Sequence, residues 1–174
     1  MKRFISKKIV AYIVCLLILG CVHVFYAQSV LIQGDSMAPT LIHNERGVII
    51  KNSQLERFDI VTFPAPDESG NKYVKRIIGL PGDHIEFRMD QLYINGEKVL
   101  EPYLDKFKEE LADDRFFTED FIIDKVPEGH FFVMGDNRRI SRDSRSLGPI
   151  AKETLEGKVR FVYWPFSKLQ SIKN

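Results

Sequence analysis

The sequence predicts a mainly β domain carried behind one N-terminal membrane-spanning helix, and three observations predict it. From Ile9 to Gln33 no Asp, Glu, Lys or Arg interrupts the run IVAYIVCLLILGCVHVFYAQSVLIQ. Beyond it the chain breaks into short segments rich in β-branched and aromatic residues, each bounded by Gly, Pro or Asp. Asn95-Gly96 stands between two alternating runs, the strongest short signal for a two-residue hairpin. With 174 residues, 44% of them hydrophobic, the chain can bury one real core, whereas two full domains would be cramped.

The first element is the anchor, read as residues 9–31. About 20 apolar residues suffice to cross a bilayer as a helix. Lys2, Arg3, Lys7 and Lys8 precede the run and the first charge behind it is Asp35. The positive-inside rule therefore places residues 1–8 in the cytoplasm and residues from about 34 onward outside, as a single-pass protein of the cell membrane. A cleaved signal peptide shares the basic start, but its apolar run is shorter and ends in small residues at −3 and −1, where Phe25-Tyr26-Ala27 offers Phe. Ile18-Leu19-Gly20-Cys21 only loosely resembles a lipoprotein processing site, since Leu before the Gly fits poorly and apolar sequence continues past Cys21.

The body, residues 32–174, reads as strands at 47–50, 59–63, 73–78, 84–87, 130–134 and 158–163, with the hairpin over 92–99. Residues 101–124 depart from this style. They hold nine acids and three bases, and 104–114 suits a helical turn or more, so the stretch reads as a solvated, charged insertion.

Composition excludes several functions. Both cysteines, Cys15 and Cys21, fall inside the apolar run, which rules out a disulfide-stapled scaffold and a thiolate zinc site in the body. Net charge is +1, but every charge in residues 1–33 is basic, so the body is mildly acidic and has no face for nucleic acid. His23, His43, His84 and His130 lack metal-ligand spacing, and neither HExxH, GxSxG nor a glycine-rich phosphate loop occurs. No metal or other cofactor is expected.

Three polar, glycine-punctuated segments remain: Gly34-Asp35-Ser36-Met37-Ala38-Pro39-Thr40-Leu41, Lys75-Arg76-Ile77-Ile78-Gly79-Leu80-Pro81-Gly82-Asp83, and Gly135-Asp136-Asn137-Arg138-Arg139-Ile140-Ser141-Arg142-Asp143-Ser144-Arg145. Singly, each has an ordinary explanation. The first is a turn leaving the membrane, Lys75 on an alternating strand points to water, and the third is a loop tied by its own charges. The phase of the strand also permits Lys75 to point inward, among apolar neighbours that would desolvate it.

Together, with Arg57–Phe63 between the first two, these segments resemble in order and spacing the sequence boxes of the bacterial type I signal peptidases. The resemblance covers nearly the whole chain: basic start, single anchor, SMxPTL just outside the membrane, KRIIGLPGD, then GDNRxxSxDSRxxG. It implies the family's β-rich catalytic fold and a Ser/Lys dyad, with Ser36 as nucleophile and Lys75 as general base. Ser141 matches the serine that orients the lysine, Asp143 and Arg145 a pair that holds the site together, and Asp136 with Arg76 a second such pair. Enterobacterial-type members carry a Ser two residues before the nucleophile, which lends a hydroxyl to the oxyanion hole. Gly34 stands there instead, as in the Gram-positive branch, so the hole rests on the Ser36 backbone N–H and the Gly34 region.

The residue types fit that chemistry. A hydroxyl attacks well only if a base takes its proton, and a lysine amine serves once burial has removed its charge. The resemblance and topology together imply cleavage of signal peptides from exported preproteins after small residues at −3 and −1. The substrate would be bound as an added strand. Membrane lipid and the export machinery are the further expected partners.

Overall fold

A computed structural model describes residues 7–66, 70–110 and 116–172, with side chains omitted at 21–25. Lys2 and Arg3 of the basic tail, the centre of the charged insertion, and the Cys21 and His23 side chains lie outside the described residues. Helix α1 (Lys7–Phe25) leads into strands β1 (Ala27–Leu31), β2 (Arg46–Ile50), β3 (Ile60–Pro64), β4 (Lys72–Gly79), β5 (Ile85–Arg88), β6 (Gln91–Ile94) and β7 (Glu97–Val99). Helix α2 (Asp105–Glu110) follows, then β8 (Phe121–Ile123), β9 (His130–Met134), the short helix α3 (Ser144–Leu147), β10 (Ile150–Ala151), β11 (Gly157–Trp164) and β12 (Gln170–Ser171).

The strands make two sheets. The larger runs β1-β2-β11-β3-β4-β9-β10, with β12 added to β11, and the smaller runs β7-β6-β5-β8. The expected hairpin is present: β6 and β7 pair with Ile94 opposite Glu97, and Asn95 and Gly96 take φ of 54° and 83°, which a type I′ turn requires. Val30, Met37, Leu41, Ile49 and Val159 form one apolar cluster under the large sheet, and Ile85, Phe87, Leu92 and Phe132 form another against the small one.

Two expectations need correction. The apolar run does not continue as helix to residue 31: α1 ends at Phe25, and Ala27–Leu31 pairs antiparallel with β2, Ala27 opposite Ile50. Apolarity is the same for a membrane helix and a core strand. Sheet partners supply the backbone bonds here, and Val30 is buried. Among the described residues no helix is long and apolar enough to cross a membrane. Ile9, Tyr12, Leu16, Leu17 and Leu19 of α1 are all more than half exposed.

The 101–124 stretch is also not simply solvated. Glu101, Leu104, Phe117 and Thr118 are buried, and β8 extends the small sheet by pairing with β5. Asp105, Lys106, Glu109 and Glu110 between these anchors are exposed, which is why composition alone reads as surface.

Candidate active site

Loop 34–41 is set by what lies at its two ends. Gly34 takes φ +78°, a conformation that strains any side-chain-bearing residue, and its N–H donates to His43 Nδ1 at 3.0 Å. That backbone is a physical reason for glycine two residues before Ser36. Met37 and Leu41 are buried in the large-sheet core and pin the loop from below.

Lys75 comes from the centre of β4, opposite Val61 of β3. Its side chain is turned inward and the residue is only 3% exposed. Nζ lies 2.7 Å from Ser36 Oγ and donates to the Val74 carbonyl at 3.0 Å, with the Tyr73 ring centroid 5.1 Å away. Burial lowers the Lys75 pKa to about 8; Asp143 and Asp136 pull it partly back up, and Arg145 pushes it down. A base that is half neutral near pH 8 and touches a hydroxyl can take that hydroxyl's proton.

The third segment wraps behind the dyad. Asn137 N–H donates to the Ser36 carbonyl at 3.0 Å. Gly135 packs so closely on Ser36 and Ser141 that a Cβ there would overlap the Ser36 carbonyl oxygen and Ser141 Oγ. Asp136 receives Arg76 through two bonds, Nε to Oδ1 at 2.8 Å and Nη2 to Oδ2 at 2.6 Å, and also accepts from Thr40 Oγ1 at 2.5 Å. One buried carboxylate thus ties the nucleophile loop, the base strand and this loop together.

Asp143 accepts from Gly135 N–H at 3.0 Å and from Arg145, Nε to Oδ1 at 2.8 Å and Nη2 to Oδ2 at 2.9 Å. Burial would raise the Asp143 carboxyl, but the Arg145 bond and charge and the Gly135 N–H outweigh it and hold it below the ordinary range. Arg145 Nη2 also donates to the Arg138 carbonyl at 2.7 Å. Ser141 sits against Gly135 with its hydroxyl buried beside the Asp143 carboxylate, which it helps hold low without reaching full hydrogen-bond geometry, and the second bond of Lys75 Nζ goes to the Val74 carbonyl.

The structure therefore brings Ser36, Lys75, Arg76, Asp136, Ser141, Asp143 and Arg145 into one locus beside Gly34. A cleft of about 270 Å³ opens over the dyad between Ile32–Met37 and Lys72–Lys75, with Ile140 and Arg142 at its edge. Among the described residues, no three His, Cys, Asp or Glu side chains stand together as metal ligands. Sequence reasoning missed Thr40, which lies in the first segment without a role, and Glu101 and Tyr103, which bond at 2.6 Å and pack against Arg138 and Arg76. Nothing local distinguishes Glu101 from the other acids around it. Tyr103, an aromatic amid charges, carried the weak signal.

Comparison with known proteins places the chain in a family. Residues 5–164 match the sequence profile of the family described as signal peptidase, peptidase S26. The chain is 44% identical over 177 residues to signal peptidase I S of Bacillus subtilis (strain 168), covering 97% of this chain and 94% of that protein. It is 37% identical over 185 residues to signal peptidase IB of Staphylococcus aureus (strain COL), covering 98% and 95%. A crystal structure of a signal peptidase I from Enterococcus faecalis V583 superposes with a TM-score of 0.57 at 41% identity, covering 61% of this chain and 97% of that one.

Proposed function

The chain belongs to the signal peptidase family, peptidase S26, and from that premise we propose that Ser36 and Lys75 are its catalytic dyad. Its activity is the family's, removal of signal peptides from secreted preproteins by a serine peptidase. The observation that carries the dyad is the 2.7 Å contact between a buried, pKa-lowered amine and a hydroxyl at the floor of an open cleft.

Neutral Lys75 takes the Ser36 proton as Oγ attacks the carbonyl carbon of the −1 residue. The resulting ammonium returns that proton to the departing amine nitrogen as the peptide C–N bond breaks, leaving an ester on Ser36. Water then attacks the ester carbon, Lys75 accepts its proton, and the C–O bond to Ser36 breaks as Oγ is reprotonated. The Ser36 N–H, with the Gly34 region beside it, faces the developing oxyanion. Arg76–Asp136 and Asp143–Arg145 hold these groups in place, and the Val74 carbonyl orients the amine, with the Ser141 hydroxyl buried behind it against Gly135.

The substrate strand fits beside β4. That strand pairs with β3 along Lys72–Lys75 and with β9 only from Arg76 on, which leaves one edge of Tyr73–Lys75 lining the cleft. Small side chains at −1 and −3 suit the limited volume.

The enzyme is membrane-bound. That α1 carries the single crossing, with residues 1–8 cytoplasmic and the body from Ala27 onward outside, is supported by the uncharged run Ile9–Gln33, the four cations before it and the pairing of Ala27–Leu31 with the body's sheet. Signal peptides emerging at that outer surface, lipid and the export machinery are then its partners. The full chain in detergent should release a signal peptide from a secretory precursor, with product masses placing the cut after a small residue. Ser36→Ala should fold and not cleave. Cleavage by Ser36→Ala at the wild-type rate would overturn the dyad.

A further inference from the structure

Two buried charges take no part in the reaction as described. Arg138 is 2% exposed and Glu101 8%, and they pair directly, Arg138 Nη2 with Glu101 Oε1. Arg138 spends its remaining donors nearby: Nη1 lies 3.3 Å from Glu101 Oε2 and 3.2 Å from Thr118 Oγ1, and Nε donates to the Gly135 carbonyl at 3.0 Å. Tyr103 OH donates to Glu101 Oε1 at 2.6 Å, and the Tyr103 ring lies 3.8 Å from the Arg76 guanidinium. Arg76 is the neighbour of Lys75 and the partner of Asp136.

We propose that Glu101 and Tyr103 are positioning residues for the hydrolysis. They form a strut from the segment after β7 to loop 135–138, and through it they set where Ser36 stands relative to Lys75; this rests on the dyad reading above. The path is continuous. Glu101 fixes the planar Arg138 fork, whose Nε then fixes the Gly135 carbonyl. Gly135 abuts Ser36, and Asn137, two residues on, holds the Ser36 carbonyl. On the other side, the Tyr103 ring backs the Arg76 guanidinium and so the strand that presents Lys75. A buried carboxylate is tolerated where it is paired, which accounts for the burial of Glu101 in a stretch whose other described acids are exposed.

The test compares the full chain in detergent as wild type, Ser36→Ala, Glu101→Gln and Tyr103→Phe, reading kcat and KM on one precursor and amide exchange over residues 135–141. Glu101→Gln should lower kcat about 10- to 100-fold, as a displaced reacting group does. KM should stay within about threefold, since only orientation is lost. Exchange at Asn137 should rise. Tyr103→Phe keeps the ring and should shift kcat the same way by less. A merely structural role would lower the melting temperature and leave kcat of the folded protein at the wild-type value; that result, or a loss confined to KM, overturns the proposal. If Glu101→Gln does not fold, Tyr103→Phe decides by the same measure. An inactive Ser36→Ala beside a fully active Glu101→Gln overturns the strut alone, whereas an active Ser36→Ala overturns the dyad and the strut with it.

Discussion

Replacing Lys75 by Met should abolish cleavage and yet change stability in a pH-dependent way that favours the variant at neutral pH. Lys75 is 3% exposed, and burial brings its pKa from the ordinary 10.5 down to about 8. Below pH 8 both the folded and the unfolded chain carry the ammonium, so folding bears the whole cost of holding that charge away from water. Between 8 and 10.5 the unfolded chain keeps a proton that the folded chain releases, so stability rises with pH. At roughly 1.4 kcal/mol for each pH unit between the two values, that cost is about 3 kcal/mol at pH 7, about 2 at pH 9 and below about 0.5 at pH 10.5. Met has nothing to ionise. It gives up the bonds to Ser36 Oγ and the Val74 carbonyl, about 1 kcal/mol each and largely independent of pH. The Met advantage should therefore be largest at pH 7, on the order of 1 kcal/mol, and fall by about 3 kcal/mol as pH rises to 10.5. Denaturant unfolding of both proteins in detergent, followed through Trp164, the one tryptophan, gives the difference at each pH. Other groups cancel in that difference. Parallel stability curves from pH 7 to 10.5 would show that Lys75 titrates alike folded and unfolded, and would refute the reasoning.

Three further outcomes follow from the same geometry. Asp143→Asn removes a carboxylate that raises the Lys75 pKa and leaves Arg145 to push it down, so the acidic limb of the rate profile should move to lower pH. Gly135→Ala places a methyl against the Ser36 carbonyl and Ser141 Oγ; it should lower both the melting temperature and kcat, measured by thermal scan and precursor assay. Changing the substrate −1 residue from Ala to Phe should block processing, because the cleft beside Ser36 is small, and equal product yields by mass spectrometry would contradict that.

What was legible in the sequence was whatever rests on local signals. Asn95-Gly96 specifies a turn by its own backbone preference, and the hairpin forms in that register. Ser36, Lys75 and the Asp136–Arg145 segment were read from ordered motifs, and the fold brings them together from separate strands and loops. The end of the apolar run was not legible, because Ala27–Leu31 is as apolar in a strand as in a helix, and only pairing with β2 decides. Nor could Glu101 be told from Asp105 or Glu110: its burial comes from Arg138, 37 residues further along the chain. The Ser141 hydroxyl was expected on the lysine, while the structure gives that place to the Val74 carbonyl, a backbone group that no side-chain motif records.

The most direct test of the Ser36–Lys75 dyad is the pH dependence of kcat/KM on a secretory precursor, which reports the base in the free enzyme. The rate should rise with pH through a single limb near the Lys75 value of about 8 and then level off, and Lys75→Arg, which stays protonated, should be inactive at every pH. A limb at the ordinary lysine value of 10.5, or substantial activity in Lys75→Arg, would contradict Lys75 as the general base.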